Sequence, residues 1–186
     1  MALSLDDIRF LFERHGAIAY SGEPVTQLQH ALQSGALAQE AGADDTLVAA
    51  AFLHDLGHLL NLQGESPTER GIDDRHQYFA LPFLRPVMPA SVLEPIRLHV
   101  DAKRYLCAVD AGYRERLSAD SIRSLALQGG IFDDDEVRVF AGLPFAQDAI
   151  RLRRWDDRAK DANQSTPGLE HFLDVIERVM DAKAST

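Results

Sequence analysis

The chain has 186 residues, of which 46% are hydrophobic and 26% are charged, an ordinary composition for a globular protein. This length suits one domain that buries a substantial core, so folding needs neither disulfides nor a structural metal. The formal net charge of −10 argues against nucleic acid or an anionic membrane as the main partner.

Cysteine content and apolar runs bear on the compartment. The single cysteine, Cys107, excludes an intramolecular disulfide and suits a reducing cytosol, so we expect a cytoplasmic protein. No stretch approaches the about 18 consecutive apolar residues of a membrane span. The first residues also lack the basic and then apolar segment of a signal peptide.

Helical signals dominate the first third of the chain. Ser4 is a typical N-cap, and apolar residues recur at helical spacing up to Gly16, where the first helix is predicted to end. Pro24 suits the first position of a second helix that runs to about Ala41. A third helix is predicted from Thr46 to about Leu60, and because it is apolar on nearly every side it should be buried.

The remaining sequence also favours helices. A polar loop is predicted over 63–74, followed by helices over about 74–84 and 91–100 and by a closing helix after Pro167. No β-alternation, internal repeat or low-complexity linker is evident. The sequence therefore predicts one all-α domain over 1–186, and nothing in it indicates an oligomeric state.

Histidine and aspartate side chains form the densest chemical signal. His54-Asp55-Leu-Gly-His58 stands at the end of the predicted buried helix, where such residues are rare unless they are paired or bound to a metal. The alternative is that the helix ends there and exposes both side chains to water. Five of the seven histidines lie in the central part of the chain, at 30, 54, 58, 76 and 99, and Asp156 follows later. A helical bundle can bring such side chains into one cluster, and imidazole with carboxylate suits iron, manganese or zinc.

The order His30, His54-Asp55, Asp156 resembles the H…HD…D signature of the HD-domain superfamily. That resemblance implies a helical bundle with a dinuclear metal site in its core, because His76 and His99 match the two added histidines of the dinuclear members. It implies that His30, His54, Asp55 and Asp156 bind the first metal, and that Asp55, His76 and His99 bind the second.

The six predicted ligands leave the reaction open. Most HD proteins are phosphohydrolases, in which the metals would activate water against a phosphomonoester or a nucleotide. A smaller branch uses a mixed-valent diiron pair to activate dioxygen. A degenerate regulatory module that only binds metal is a third class, and it is disfavoured because every ligand position is filled.

The residues around the ligands resemble the PhnZ-type organophosphonate oxygenases, which are related to the TmpB type. The resemblance spans about 15–160, and the matching stretches are YSGEPVTQLQHALQ (20–33), AFLHDLGHLL (51–60), DDRH (73–76), HVDAKRYL (99–106), LQGG (127–130) and LRRWDDRAK (152–160). It implies two iron ions in a mixed-valent Fe(II)/Fe(III) state, with O2 as co-substrate. The expected substrate is a 1-hydroxy-2-aminoethylphosphonate or its N-trimethyl analogue, whose carbon–phosphorus bond is cleaved to phosphate and glycine or glycine betaine.

Two cations stand at helical spacing from predicted ligands. Lys103 follows His99 by four residues and Arg153 precedes Asp156 by three, so each shares a helix face with its ligand. A phosphonate dianion suits such a pair, although each cation taken singly could also be an ordinary surface charge. The resemblance further implies that Ser121 and Gln128 contact the phosphonate.

Three further residues match positions that act on the substrate in PhnZ-type enzymes. Tyr20 and Glu23 occupy the positions of a substrate switch, in which the tyrosine covers an iron site at rest and the glutamate receives the amine. The alternative is a packed aromatic and a turn residue before Pro24. His58, the second histidine of HDLGH, is predicted to hydrogen-bond a ligand, oxygen or the substrate.

Overall fold

The computed structural model describes residues 2–20, 22–61, 67–73 and 75–185, and these ranges fold as helices joined by turns. Within them no β-strand forms, and one isolated antiparallel bridge joins Ala19 to Thr26. The all-α prediction is therefore confirmed. The helices are α1 (Leu5–His15), α2 (Gln27–Glu40), α3 (Asp45–Leu53), α4 (Leu56–Leu60), α5 (His76–Phe79), α6 (Leu81–Leu84), α7 (Ala90–Val109), α8 (Ala119–Leu127), α9 (Asp134–Ala141), α10 (Ala146–Arg158) and α11 (Leu169–Ala184), with short 3-10 turns at Pro67–Arg70 and Arg114–Arg116.

Capping residues set where the first two helices begin. The hydroxyl of Ser4 accepts a hydrogen bond from the Asp7 amide, and the first helix ends before Gly16, both as predicted. The predicted start of the second helix at Pro24 is wrong. Thr26 caps that helix, and Gln29 completes a reciprocal capping box. The proline belongs instead to the turn that the bridge closes.

The predicted continuous helix from Thr46 to Leu60 is interrupted at the predicted metal ligands. Helix α3 ends at Leu53, and Asp55 leaves helical geometry with φ −102° and ψ 12° before α4 begins at Leu56. This break lets adjacent side chains, His54 and Asp55, reach the same interior cluster, whereas an unbroken helix would turn them about 100° apart.

The middle of the chain also departs from the predicted boundaries. Residues 62–66 and 74 of the predicted 63–74 loop lie outside the described ranges. The helix predicted over 74–84 is two short helices, α5 and α6, because Pro82 cannot donate the hydrogen bond that would continue α5. The helix predicted over 91–100 extends through Val109 and tolerates Pro95 inside it. The closing helix after Pro167 is confirmed as α11.

The buried helix α3 lies at the centre of the packing. All of its residues from Leu47 to Leu53 are buried, as predicted, and α2, α7, α10 and α11 pack around it. Phe52 of α3 stacks on Phe172 of α11 at 5.1 Å between ring centroids, and Phe12 of α1 lies 4.7 Å from Phe52. None of the helices in the described ranges is both long and apolar enough to cross a membrane.

Candidate metal centre and substrate pocket

Five segments of the fold bring the six predicted ligands together. The contributing elements are α2, the α3–α4 junction, α5, α7 and α10, and the residues they supply are His30, His54 with Asp55, His76, His99 and Asp156. Five of these side chains are nearly inaccessible, and that of His76 is 12% exposed. Residues spread over more than a hundred positions of the sequence therefore meet at one buried point.

Backbone carbonyls fix the orientation of three of the imidazoles. The Nδ1 atom of His30 lies 2.8 Å from the Ala159 carbonyl oxygen, and His54 Nδ1 lies 2.8 Å from that of Ala51. His99 Nδ1 lies 2.7 Å from the carbonyl oxygen of Ile96. Because a carbonyl only accepts, each Nδ1 carries a proton, and in the neutral ring Nε2 presents a lone pair to the interior. Metal-binding histidines are oriented in the same way.

The His30 and His54 rings therefore oppose each other. Their Nε2 atoms lie only 3.2 Å apart. Burial lowers the pKa of His54, but the carboxylates of Asp55 and Asp156 outweigh it and raise that pKa to about 9, so without a metal its Nε2 binds a proton. A metal cation bound to both Nε2 atoms would replace that proton. The Nε2 atoms of His76 and His99 are similarly close, at 3.1 Å.

The carboxylate of Asp55 spans the two histidine pairs. Its Oδ2 lies 3.5 Å from His30 Nε2 and 3.4 Å from His54 Nε2, while its Oδ1 lies 3.3 Å from His76 Nε2 and 3.8 Å from His99 Nε2. In each of the two triads that share Asp55, the ligand atoms lie within 4.8 Å of one another. Oδ2 is buried and accepts no hydrogen bond from the described residues. Such an atom is costly to bury without a partner, and a bound metal would satisfy it.

Asp156 completes the first group of ligands. Its Oδ1 lies 3.4 Å from His30 Nε2 and 3.9 Å from His54 Nε2, and its Oδ2 accepts from Arg153 at 2.8 Å. The Arg153 guanidinium and the two histidines hold the pKa of Asp156 well below its usual range, although burial alone would raise it. The carboxylate is therefore ionised and suited to bind a cation.

Gly57 allows α5 to pack close to Asp55, so that the second group of predicted ligands, Asp55, His76 and His99, can form. Gly57, between Asp55 and His58, packs so tightly on α5 that a Cβ there would lie 2.1 Å from the His76 carbonyl oxygen. Any other residue would push α5, and His76 with it, away from Asp55. Sequence reasoning did not single out Gly57, although it stands inside the HDLGH motif.

Lys103 and Ser124 face the cavity next to this cluster. Lys103 lies one turn after His99 on α7, is 2% exposed, and donates from Nζ to the Ser124 hydroxyl at 2.7 Å. Burial, together with the neighbouring positive charge of Arg153, lowers the pKa of Lys103 to about 7. Ser124 was missed by the sequence reasoning, although its spacing of three residues from Ser121 places both hydroxyls on one face of α8.

Arg153 is held by several partners at once. Besides Asp156, it donates from Nε to the Tyr113 hydroxyl at 3.2 Å and from Nη2 to Ser121 at 3.4 Å, and Nη2 also contacts Asp157. All three guanidinium nitrogens are thus engaged, and two carboxylates balance the charge. Sequence reasoning assigned a role to neither Tyr113 nor Asp157. Asp157 follows Arg153 by four residues on α10, a spacing that could have indicated the contact, whereas Tyr113 comes from a distant segment.

One cavity of about 310 Å³ joins the histidine cluster to these cations. Its wall includes Asp55, His76 and His99 on one side and Lys103 with Arg153 on another. Ser121, Ser124 and Gln128 also line it. The Oε1 atom of Gln128 is buried and accepts no hydrogen bond from the described part of the chain.

Tyr20 and His58 line the same cavity, and Glu23 lies near Tyr20 in the chain. The ring of Tyr20 stacks on His30 with 4.0 Å between centroids, and that of His58 stacks on His76 at 4.2 Å; both residues line the cavity. Burial and then the negative charge of Asp55 raise the pKa of Tyr20 well above its usual value, so its hydroxyl is neutral. Glu23 lies beside Tyr20 in the turn, where its carboxylate pairs with Lys160.

Comparisons with known proteins give a consistent picture. No protein-family model matches the chain. A hydroxymethylphosphonate dioxygenase of Gimesia maris is 41% identical over 92% of this chain and 85% of its own length. A [1-hydroxy-2-(trimethylamino)ethyl]phosphonate dioxygenase (glycine-betaine-forming) of Leisingera caerulea is 37% identical over 92% of this chain and 87% of its own. The chain belongs to the PhnZ/TmpB-type family of phosphonate dioxygenases.

Proposed function

We propose that this protein is a dinuclear iron oxygenase that cleaves the carbon–phosphorus bond of a 1-hydroxyphosphonate with O2. One observation carries the proposal. The two oxygens of Asp55 approach separate histidine pairs, and the cavity beside them contains Lys103, a buried lysine with hydrogen-bonding capacity to spare. The activities named for the two dioxygenases support the choice of an oxygenase over a phosphohydrolase.

Two irons would be bound by the two groups of ligands that share Asp55. His30, His54, Asp55 and Asp156 would hold one, and Asp55, His76 and His99 the other. Nitrogen and carboxylate donors without a thiolate suit iron. When bound, a mixed-valent Fe(II)/Fe(III) pair supplies the one-electron chemistry that activates O2.

The chain's own residues bind the phosphonate. Lys103 has three N–H donors and gives one of them to Ser124, so it offers charge and further hydrogen bonds to an anion. Arg153 is already engaged on all three nitrogens, so its main contribution is positive charge and the support of Asp156. Ser121, Ser124 and Gln128 add polar atoms around the same position.

The substrate class follows from the chemistry at both ends of the cavity. A phosphonate faces Lys103, and a hydroxyl on the neighbouring carbon lies toward the histidine cluster. One 1-hydroxyphosphonate and one O2 give one carboxylic acid and one phosphate, which balances atoms and electrons. The substrates to compare are 1-hydroxy-2-aminoethylphosphonate, its N-trimethyl analogue and hydroxymethylphosphonate, which would give glycine, glycine betaine and formate respectively.

Tyr20 and Glu23 would control substrate entry, and His58 would hydrogen-bond a ligand, oxygen or the substrate. Tyr20 covers His30 in this structure and would move aside when the substrate binds. The Nε2 atom of His58 lies 3.8 Å from Asp55 Oδ1. The residue lines the cavity, where its ring can hydrogen-bond the substrate or oxygen. Glu23 would receive a positively charged substrate end, because a carboxylate attracts an ammonium group across a poorly solvated pocket.

Oxygen dependence tests this proposal. Iron-loaded, partly reduced protein is incubated with each of the three hydroxyphosphonates in air and under strict anoxia, and phosphate and oxygen are measured. We expect phosphate release and oxygen consumption in equal amounts with at least one substrate, and no phosphate under anoxia. Phosphate released at the same rate without oxygen would indicate a hydrolase. The variant Lys103→Met, loaded with the same amount of iron, is the matched control for substrate binding.

A further inference from the structure

The buried amide side chain of Gln33 lies outside the predicted ligand and substrate-binding residues. Gln33 stands on α2, one turn after His30, and is 2% exposed. Its Nε2 donates to the Asp161 carbonyl oxygen at 2.8 Å, and its Oε1 accepts from the Asp161 amide at 3.1 Å. The side chain thus exchanges two hydrogen bonds with the backbone of one residue, as opposite residues of antiparallel strands do. Gln33 closes the stretch that resembles the PhnZ-type oxygenases over 20–33, and sequence reasoning assigned it no role.

The segment that Gln33 binds follows helix α10. That helix ends at Arg158, and Ala159 leaves helical geometry with φ −77° and ψ 51°. The Ala159 carbonyl oxygen lies 2.8 Å from His30 Nδ1. His30 and Gln33 are three residues apart and share one face of α2. This face therefore holds the segment at two positions, 159 and 161.

A displacement of this segment would reach two predicted ligands of the first metal. Without the Ala159 carbonyl, the ring of His30 is free to turn or to take the other tautomer, and its Nε2 then presents no lone pair to the metal. Asp156 stands in the last turn of α10, three residues before Ala159. The second group of ligands is held differently, since the ring of His99 contacts the Ile96 carbonyl within α7 itself.

We propose that Gln33 is a positioning residue for the first metal. By fixing the Asp161 backbone it holds the Ala159 carbonyl on His30 Nδ1, so that Nε2 of the same ring stays directed at the metal. The metal part of this proposal rests on the proposed function. Loss of the outer partner of a metal-binding histidine typically weakens metal binding about 10- to 100-fold. Gln33 acts one contact further out, so we expect an effect at the lower end of that range.

Two variants remove the contact in different ways. Gln33→Met keeps nearly the same volume and removes both hydrogen bonds. Gln33→Asn keeps the amide but is one methylene shorter, so it cannot reach both backbone atoms, and it replaces the methionine variant if that protein does not fold. The matched control is Gln39→Met, because Gln39 stands on the same helix and pairs with His171 of α11 at 3.0 Å.

Histidine NMR with a diamagnetic metal reports the state of His30 without any activity. Protein labelled with 15N in its histidine rings is titrated with Zn(II) against a competing chelator. The ring signals then give one dissociation constant for the group of His30 and His54 and one for the group of His76 and His99. In the Gln33 variants we expect the first constant to rise about tenfold, and the Nδ1 proton of His30 to exchange faster with water. The second constant should rise by a smaller factor, because His99 is held by its own helix.

Amide hydrogen exchange at saturating Zn(II) tests the backbone contact separately. The peptide covering 157–164 includes the Asp161 amide that donates to Gln33. Exchange there should be about tenfold faster in both Gln33 variants and unchanged in Gln39→Met. Unchanged exchange in the peptide covering 45–53, which is helix α3, would show that the variants remain folded.

The outcomes separate this inference from the proposed function. A protein that binds Zn(II) at both groups but releases no phosphate with iron and O2 would overturn the proposed function alone, because the test of Gln33 needs only the bound metal. An unmodified protein that binds no metal would overturn both. A selective rise of the first dissociation constant, with faster exchange at 157–164, supports the role of Gln33. Equal weakening of both groups, or a first constant no higher than in Gln39→Met, would overturn it.

Discussion

Gly57 offers the sharpest test of how the fold places the second group of ligands. In Gly57→Ala the new methyl would lie 2.1 Å from the His76 carbonyl oxygen, against 3.4 Å for the closest ordinary contact. The α5 backbone must therefore move away from the new methyl group by 1.3 Å, the difference between 3.4 Å and 2.1 Å. Metal–ligand distances tolerate deviations of only about 0.2 Å, so we expect His76 to stop binding metal.

Gly57→Ala should lower the stability of the protein, although helix propensity alone would raise it. Alanine in a helix is favoured over glycine by about 0.5–1 kcal/mol, whereas overpacking a tight contact costs about 1–3 kcal/mol. The free energy of unfolding of the metal-free protein should therefore fall by about 1–2 kcal/mol. Urea denaturation measures this change, and iron analysis per folded chain should give one iron instead of two.

The matched control is Gly142→Ala, because a Cβ at Gly142 would meet its nearest atoms at an ordinary 3.6 Å. That variant should bind two irons and keep the stability of the unmodified protein. A Gly57→Ala protein that also bound two irons with unchanged stability would refute the packing argument.

Four other predictions concern the ligands and the cations. Asp55→Asn preserves volume but replaces one carboxylate oxygen by an amide nitrogen, which does not bind metal, so iron analysis should find at most one iron per chain. Lys103→Met should weaken phosphonate binding about 10- to 100-fold without loss of iron, since a charge-assisted hydrogen bond is lost; unchanged affinity by calorimetry would remove Lys103 from the site. Because the pKa of Lys103 is about 7 in the free site and a bound anion must raise it, affinity should fall as pH rises above 7, and titrations in buffers of different ionisation enthalpy should detect proton uptake. Tyr113→Phe removes the hydroxyl that accepts from Arg153, so KM should rise about fivefold with iron content unchanged; an unaltered KM would show that Arg153 needs no such support.

The ligand residues could be found from the sequence because their chemistry conflicts with their surroundings. His54 and Asp55 follow the apolar run 47–53, and a bundle can satisfy them only by bringing in partners from other helices. The structure brings the six predicted side chains together, and their binding of two irons stays a prediction. The helix start at Ser4 was predicted correctly, whereas the start at Thr26 was missed in favour of Pro24, although both caps depend on residues only three positions apart.

Other features depend on contacts that no local pattern encodes. The break at Asp55 places two adjacent side chains in one cluster, although the apolar run around it predicts an unbroken helix. Pro95 lies inside α7, where packing outweighs its poor helix propensity. Tyr113 supports Arg153 from 40 positions away, and Lys160 meets Glu23 across 137. Such pairs become visible only when the helices are packed.

Low-temperature EPR of iron-loaded, partly reduced protein tests most directly whether Asp55 joins two metals in one centre. Protein that contains two irons per chain should show a coupled Fe(II)/Fe(III) signal, and the signal should disappear in Asp55→Asn. Two irons per chain that gave only the signal of isolated ferric ions would contradict the account, because the carboxylate would then not link the two histidine pairs.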